Sequence, residues 1–237
     1  MGIVTSLAII ALAALVHASF QLSVSVLTLL SAHTLGAKRS HFKLLCLSAS
    51  FVFGTGLMTV LLLSFISLLL INIFGNKTPQ IIWAIVCGLS IGVAISIWLF
   101  YYQRGRGTML WLPRNFAKYL TRRTESTRLS AEAFGLGLSS VIGEILFIIA
   151  PLTICALALI QLPTIWQLVG ICVYTLISLT SLIIVWVSIN SGHKISQIQQ
   201  WRENNKYFLQ FAAGAGLIIL VFFVYVNEIL VCTVNKI

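Results

Sequence analysis

The sequence predicts an all-α membrane protein of six transmembrane helices, built as two inverted three-helix repeats (3+3) with both termini outside. Three observations lead there. The composition is too apolar for a water-soluble chain. Six apolar runs are each long enough to cross a bilayer. The basic residues fall almost entirely on alternate loops.

Of the 237 residues, 59% are apolar and 8% charged, against about 45–50% and about 25% in an average soluble chain. A soluble fold of this size has too little polar surface to cover such a core. Lipid is then the solvent, and every backbone polar group must be satisfied internally. Long continuous apolar runs, rather than short alternating segments, select helices over a barrel.

The runs cover 4–32, 43–74, 80–102, 132–160, 165–190 and 207–230. Each suffices for a ~30 Å hydrocarbon layer at about 1.5 Å per residue. The second is long enough to tilt or protrude. Gly75-Asn76-Lys77-Thr78-Pro79 separates runs two and three, and Gln161-Leu162-Pro163 separates four and five. Of the 15 Lys and Arg, all but Lys77 and Lys236 lie in or beside the loops after runs one, three and five. That bias places these loops in the cytoplasm. It also accounts for the net charge of +10 without a nucleic-acid partner.

The chain divides into a first repeat (1–103), a basic cytoplasmic loop (104–131) and a second repeat (132–237). Within the loop, Leu112, Phe116, Tyr119 and Leu120 recur at helical spacing, and Arg114, Lys118 and Arg122 form a basic stripe. Pro113 suits the first turn. The pattern predicts an amphipathic helix over 112–123, lying on the anionic inner leaflet or docking a cytosolic partner.

A shift of about 123 to 126 residues lays each run of the second half on its counterpart in the first. His17-x-x-x-Gln21 falls on Ser140-x-x-x-Glu144. Because each unit has an odd number of spans, the second copy is inverted. Inverted repeats are a construction principle of secondary transporters, with the site near the midplane between them.

Glu144 is the one acidic residue deep in a run. A charge at the bilayer centre costs about 2.5–3.5 kcal/mol on insertion scales, so the group is protonated, paired or beside water. His17, Gln21 and Ser25 form a polar stripe in run one, and Ser139 and Ser140 precede Glu144 in run four. These six are the candidate solute or ion pathway; interhelical hydrogen bonding is the other use for such residues. Gly54 and Gly56, Gly88 and Gly92, Gly135 and Gly137, and Gly214 and Gly216 suit close helix packing, and Gly143 belongs with them. Pro151 is expected to break run four beyond Glu144. Glu228, at the outer end of run six, is expected in solvent.

No catalytic motif, metal-ligand spacing or cofactor signature occurs, and the chain contains no aspartate. Cys46, Cys87, Cys155, Cys172 and Cys232 form no C-x-x-C pair and read as small apolar residues.

Three stretches resemble the lysine-exporter superfamily of bacterial membrane proteins. They are Leu35-Gly36-Ala37-Lys38-Arg39 leading to Phe53-Gly54-Thr55-Gly56, Gly135-Leu136-Gly137 through Gly143-Glu144 to Ala150-Pro151, and Trp201-Arg202 through Ala213-Gly214-Ala215-Gly216. The resemblance implies a multi-pass protein of a bacterial cytoplasmic (inner) membrane that exports a small solute. Ile142-Gly143 stands where the exporters carry Asn-Pro. The distantly similar thiol-reductant carriers of cytochrome c maturation need a cysteine in the first and fourth helices; the first has none here, and Cys155 lies past the matching position. The expectation is therefore a carrier of a small solute or ion, coupled to a proton or cation, neither an enzyme nor cofactor-dependent. The alternative is a non-transporting membrane subunit or assembly factor working through its basic loops. The pattern leaves room for self-association or a membrane partner.

Overall fold

A computed structural model describes residues 2–20, 22–36, 41–75, 78–100, 114–191 and 195–230. Among them the protein is helical, with no strand. In chain order the helices are α1 (Ile3–Ala18), α2 (Leu22–Gly36), α3 (His41–Phe74), α4 (Gln80–Phe100), α5 (Arg114–Ser126), α6 (Ser130–Gly143), α7 (Ile145–Leu159), α8 (Thr164–Ser178), α9 (Thr180–Asn190), α10 (Ile195–Asn204) and α11 (Lys206–Val224). A π-helical turn, Tyr225–Leu230, prolongs α11.

Three helices are unbroken and apolar enough to cross a membrane: Phe42–Phe74, Gln80–Phe100 and Lys206–Leu230. Three bent pairs raise the number to six if each counts as one span. α1 and α2 meet at 44°, α6 and α7 at 80°, and α8 and α9 at 46°. Runs one, four and five are thus broken, where the sequence predicts continuous helices. Large apolar side chains cover the outer faces, among them Phe53, Phe65 and Leu68 of α3, Leu89 and Leu99 of α4, and Phe222 of α11. Apolar surface on this scale is rare on soluble monomers. The helices are those of a multi-pass membrane protein by length and composition.

The breaks have local causes. At the end of α1 the Ser19 hydroxyl donates to the Val16 carbonyl at 2.6 Å, drawing the last turn tight. Gly143, with no side chain to lose, precedes the sharp turn at Glu144. Around Leu179, the Ser178 hydroxyl donates to the Thr175 carbonyl at 3.0 Å and that of Thr180 to the Leu176 carbonyl at 3.4 Å. Such back-bonding hydroxyls bend helices. Pro151 is a correction: it sits inside α7, which runs unbroken from Ile145 to Leu159. The break lies at Glu144 instead, between the end of α6 at Gly143 and the start of α7 at Ile145.

The bundle is held by close crossings. α3 packs along α6, α1 against α7 and α8, and α4 against α11. A Cβ on Gly54 would run into the Phe134 carbonyl, and one on Gly137 into the Phe51 carbonyl. Each glycine thus admits the other helix's backbone. On Gly56 a Cβ would stand 3.0 Å from the Leu179 side chain. Gly214 receives the Trp98 indole, whose Nε1 donates to the Phe211 carbonyl at 3.2 Å while the rings of Trp98 and Phe211 stack at 6.0 Å. Nothing lies within 4 Å of the position a Cβ would take at Gly88, Gly92 or Gly135, so these three make no close crossing.

The loop helix is α5. Leu120 and Thr124 are buried, while Lys118, Arg122 and Arg123 are exposed. Its buried face packs on α2 and α6, so the protein itself covers Leu120, which the sequence assigns to a lipid-facing stripe, while Tyr119 of that stripe is exposed. Leu112 and Pro113 lie outside the described residues.

Candidate functional site

The three helix breaks converge. A small cavity of about 20 Å³ is lined by His17, Phe20, Ser23 and Val24 from the first break, Glu144 from the second, and Ser178, Leu179, Ser181 and Leu182 from the third. Thr55 and Thr59, on the middle of unbroken α3, close the remaining side. The space suffices for one water, which needs roughly 10–15 Å³. Each break leaves backbone N–H and C=O groups without intrahelical partners, so main-chain polarity gathers where the polar side chains do.

Glu144 ends α6 and precedes α7, and it is 4% exposed. Its carbonyl accepts the N–H groups of Phe147 and Ile148 at 2.9 and 3.1 Å. That fixes the residue at the positive end of α7, where a carboxylate is favoured.

His17, also buried, ends α1. Its Nδ1 lies 2.9 Å from the Tyr174 hydroxyl of α8, which pins the ring beside the cavity. The Ser140 hydroxyl donates to the Gly137 carbonyl at 2.8 Å, so the 3.1 Å contact with Ser23 is made by the Ser23 hydroxyl donating. This bond ties α2 to α6 at the cavity wall.

The predicted pathway residues therefore separate. His17 and Glu144 line one cavity, and Ser140 supports it through Ser23. Ser139 faces elsewhere: its hydroxyl donates to the Gly135 carbonyl at 2.9 Å, and it borders a cavity of about 440 Å³ between α5 and α6, with Tyr119, Arg123 and Glu132. Ser25 accepts from the Arg202 guanidinium of α10 at 2.7 Å. Gln21 lies outside the described residues. Gly135, within α6, has open space where a Cβ would stand, in contrast to Gly54, Gly56 and Gly137, while Gly143 is the last residue of α6.

Sequence reasoning passed over Thr55, Thr59, Ser178, Ser181 and Tyr174. The spacing of Thr55 with Thr59 puts that pair on one helix face, and Ser178 and Ser181 stand three positions apart in run five; those were the available signals. Glu228 departs from expectation too. It is 6% exposed, and Gln161 Nε2 donates to its carboxylate at 3.5 Å, because the π-helical turn carries it inward.

Among the described residues no three His, Cys, Asp or Glu side chains gather as metal ligands. Four cysteines, Cys46, Cys87, Cys155 and Cys172, are free thiols.

No family model, curated protein or solved structure matches the chain.

Proposed function

We propose that this protein is a secondary transporter of a small solute or ion, with Glu144 as its proton- or cation-exchanging carboxylate. The observation that carries the reading is the convergence of three helix breaks on one polar cavity holding that carboxylate. Broken spans at mid-depth, with helix ends aimed at a common point, are the way transporter folds build a binding site from backbone groups in lipid.

The same reading takes six spans as two inverted repeats with both termini outside, in the inner membrane of a bacterium. Support comes from register and packing. Under the shift that puts Gln21 on Glu144, the start of α2 at Leu22 falls on the start of α7 at Ile145. Exchanging the two halves turns the α3–α6 crossing into the α8–α1 crossing and returns α4–α11 to itself, and all these pairs are in contact. The exporter-like stretches agree with a carrier.

Purified protein in liposomes tests the role of Glu144. Glu144→Gln is expected to abolish flux driven by a pH gradient while the variant still elutes as a folded species. Undiminished flux would remove the carboxylate from the mechanism. An accessible tag at either terminus in intact cells supports the orientation; a tag reached only after lysis overturns it.

A second reading is a non-transporting subunit. It is favoured by α5, which presents Lys118, Arg122 and Arg123 outward from a packed helix. A stoichiometric partner lost on replacing these three by Gln, with no flux of any solute, would select it.

A further inference from the structure

A larger cavity, of about 520 Å³, adjoins the central one. Val24 of α2 and Ser181 of α9 border both, so they form the wall between them. The larger cavity lies under α10, the short helix before the last span. Its lining is mostly apolar, with Ala18, Ile184, Val185, Ile198 and Leu209 among the wall residues. It also holds a guanidinium: Arg202 lines it and is 2% exposed, with one Nη fixed on the Ser25 hydroxyl at 2.7 Å. Gln197 adds an amide at the same side. The size is that of small-molecule pockets, about 300–1,000 Å³.

Arginine presents donors in a rigid fork suited to carboxylate or phosphate oxygens. Anchored by Ser25 and lying beside aliphatic side chains, it sets a guanidinium next to a long apolar surface. That pairing favours an anionic group over a cation and a partly apolar solute over a fully polar one, which would lose hydration against the aliphatic groups.

We propose that this cavity is the cytoplasmic loading chamber of the carrier, and that its cargo is a small organic anion with an apolar body, its charged end at Arg202. The inference rests on the transporter reading and names its substrate class. Among the described residues, Val24 and Ser181, both just past helix breaks, border the chamber and also the cavity that Glu144 lines. A change of angle at those breaks would join the two spaces.

Binding of hexanoate to the detergent-purified chain, by calorimetry, tests the chamber separately from transport. Hexanoate is expected to bind, with hexanol and hexylammonium at least about tenfold weaker, the cost of one charge-assisted hydrogen bond. Arg202→Gln should weaken hexanoate by a similar factor. Ile198→Trp keeps Arg202 and Ser25 but fills the cavity, and should also abolish binding. Glu144→Gln should bind hexanoate normally while losing pH-driven flux, so failure of the chamber and failure of the carrier reading are told apart. Equal affinity for the alcohol, or full affinity in the filled variant, overturns the proposal. So does tightly held anionic phospholipid, seen by native mass spectrometry, that hexanoate does not displace, for then the site belongs to a lipid.

Discussion

His17 and Tyr174 join through a 2.9 Å hydrogen bond between Nδ1 and the phenolic hydroxyl, at the point where α1 ends beside α8. Both side chains are buried, and their ring centroids are 5.7 Å apart. Tyr174→Phe keeps the ring and deletes the bond. Interhelical hydrogen bonds in membranes are worth about 0.6–2 kcal/mol. Thermal melting in detergent should therefore show a modest loss, and combining it with His17→Gln, which deletes the same bond, should cost less than the sum of the two by about that amount.

The α3–α6 crossing should be the least tolerant place in the bundle. At Gly54 and Gly137 an added Cβ meets backbone, which cannot rotate away. Gly137→Val is expected to cost at least the roughly 1–3 kcal/mol of overpacking, and the fluorescence size-exclusion peak should collapse. Gly135→Ala, in open space, should leave that peak unchanged and provides the matched control.

Pro151→Ala distinguishes a proline hinge from the turn at Glu144. Because α7 passes through Pro151 without breaking, the alanine variant should fold at least as stably and retain flux within about twofold. A large loss of flux would show that the mid-helix proline bends during transport.

Gly214→Ala should expel the Trp98 indole from the face of α11. The stacked pair with Phe211, at 6.0 Å and an interplanar angle of 8°, would be lost with it. Aromatic pairs contribute about 0.5–1.5 kcal/mol beyond their buried area. A shift in tryptophan emission, absent in Trp98→Phe, would report the displacement.

How much of this was legible beforehand differs by feature. The apolar runs locate the helices because hydropathy averages over many residues, and Glu144 and His17 stand out because polar groups in such runs are costly. The breaks left no comparable mark. Ser19, Gly143 and the pair Ser178 and Thr180 act through backbone bonds and missing side chains, which a hydropathy profile does not weigh. Pro151 drew attention as the stronger breaker, yet a proline within a lipid-embedded helix can be carried by its neighbours. Tyr174 gave no signal, since an aromatic residue in an apolar run looks like packing until its hydroxyl has a partner. Arg202, near a predicted cytoplasmic end, reads as a topology charge; its burial comes with the packing of α10 on α2 and α11.

The unbroken course of α3 through 34 residues makes the architecture lopsided in its mechanics. Where α8 and α9 form a jointed arm with an elbow at Leu179, α3 is a post. In the carrier proposed above, Thr55 and Thr59, mounted on it, would serve as a stationary reference while the hinged segments swing past. Opening toward one side of the membrane and toward the other then need not be mirror-image strokes.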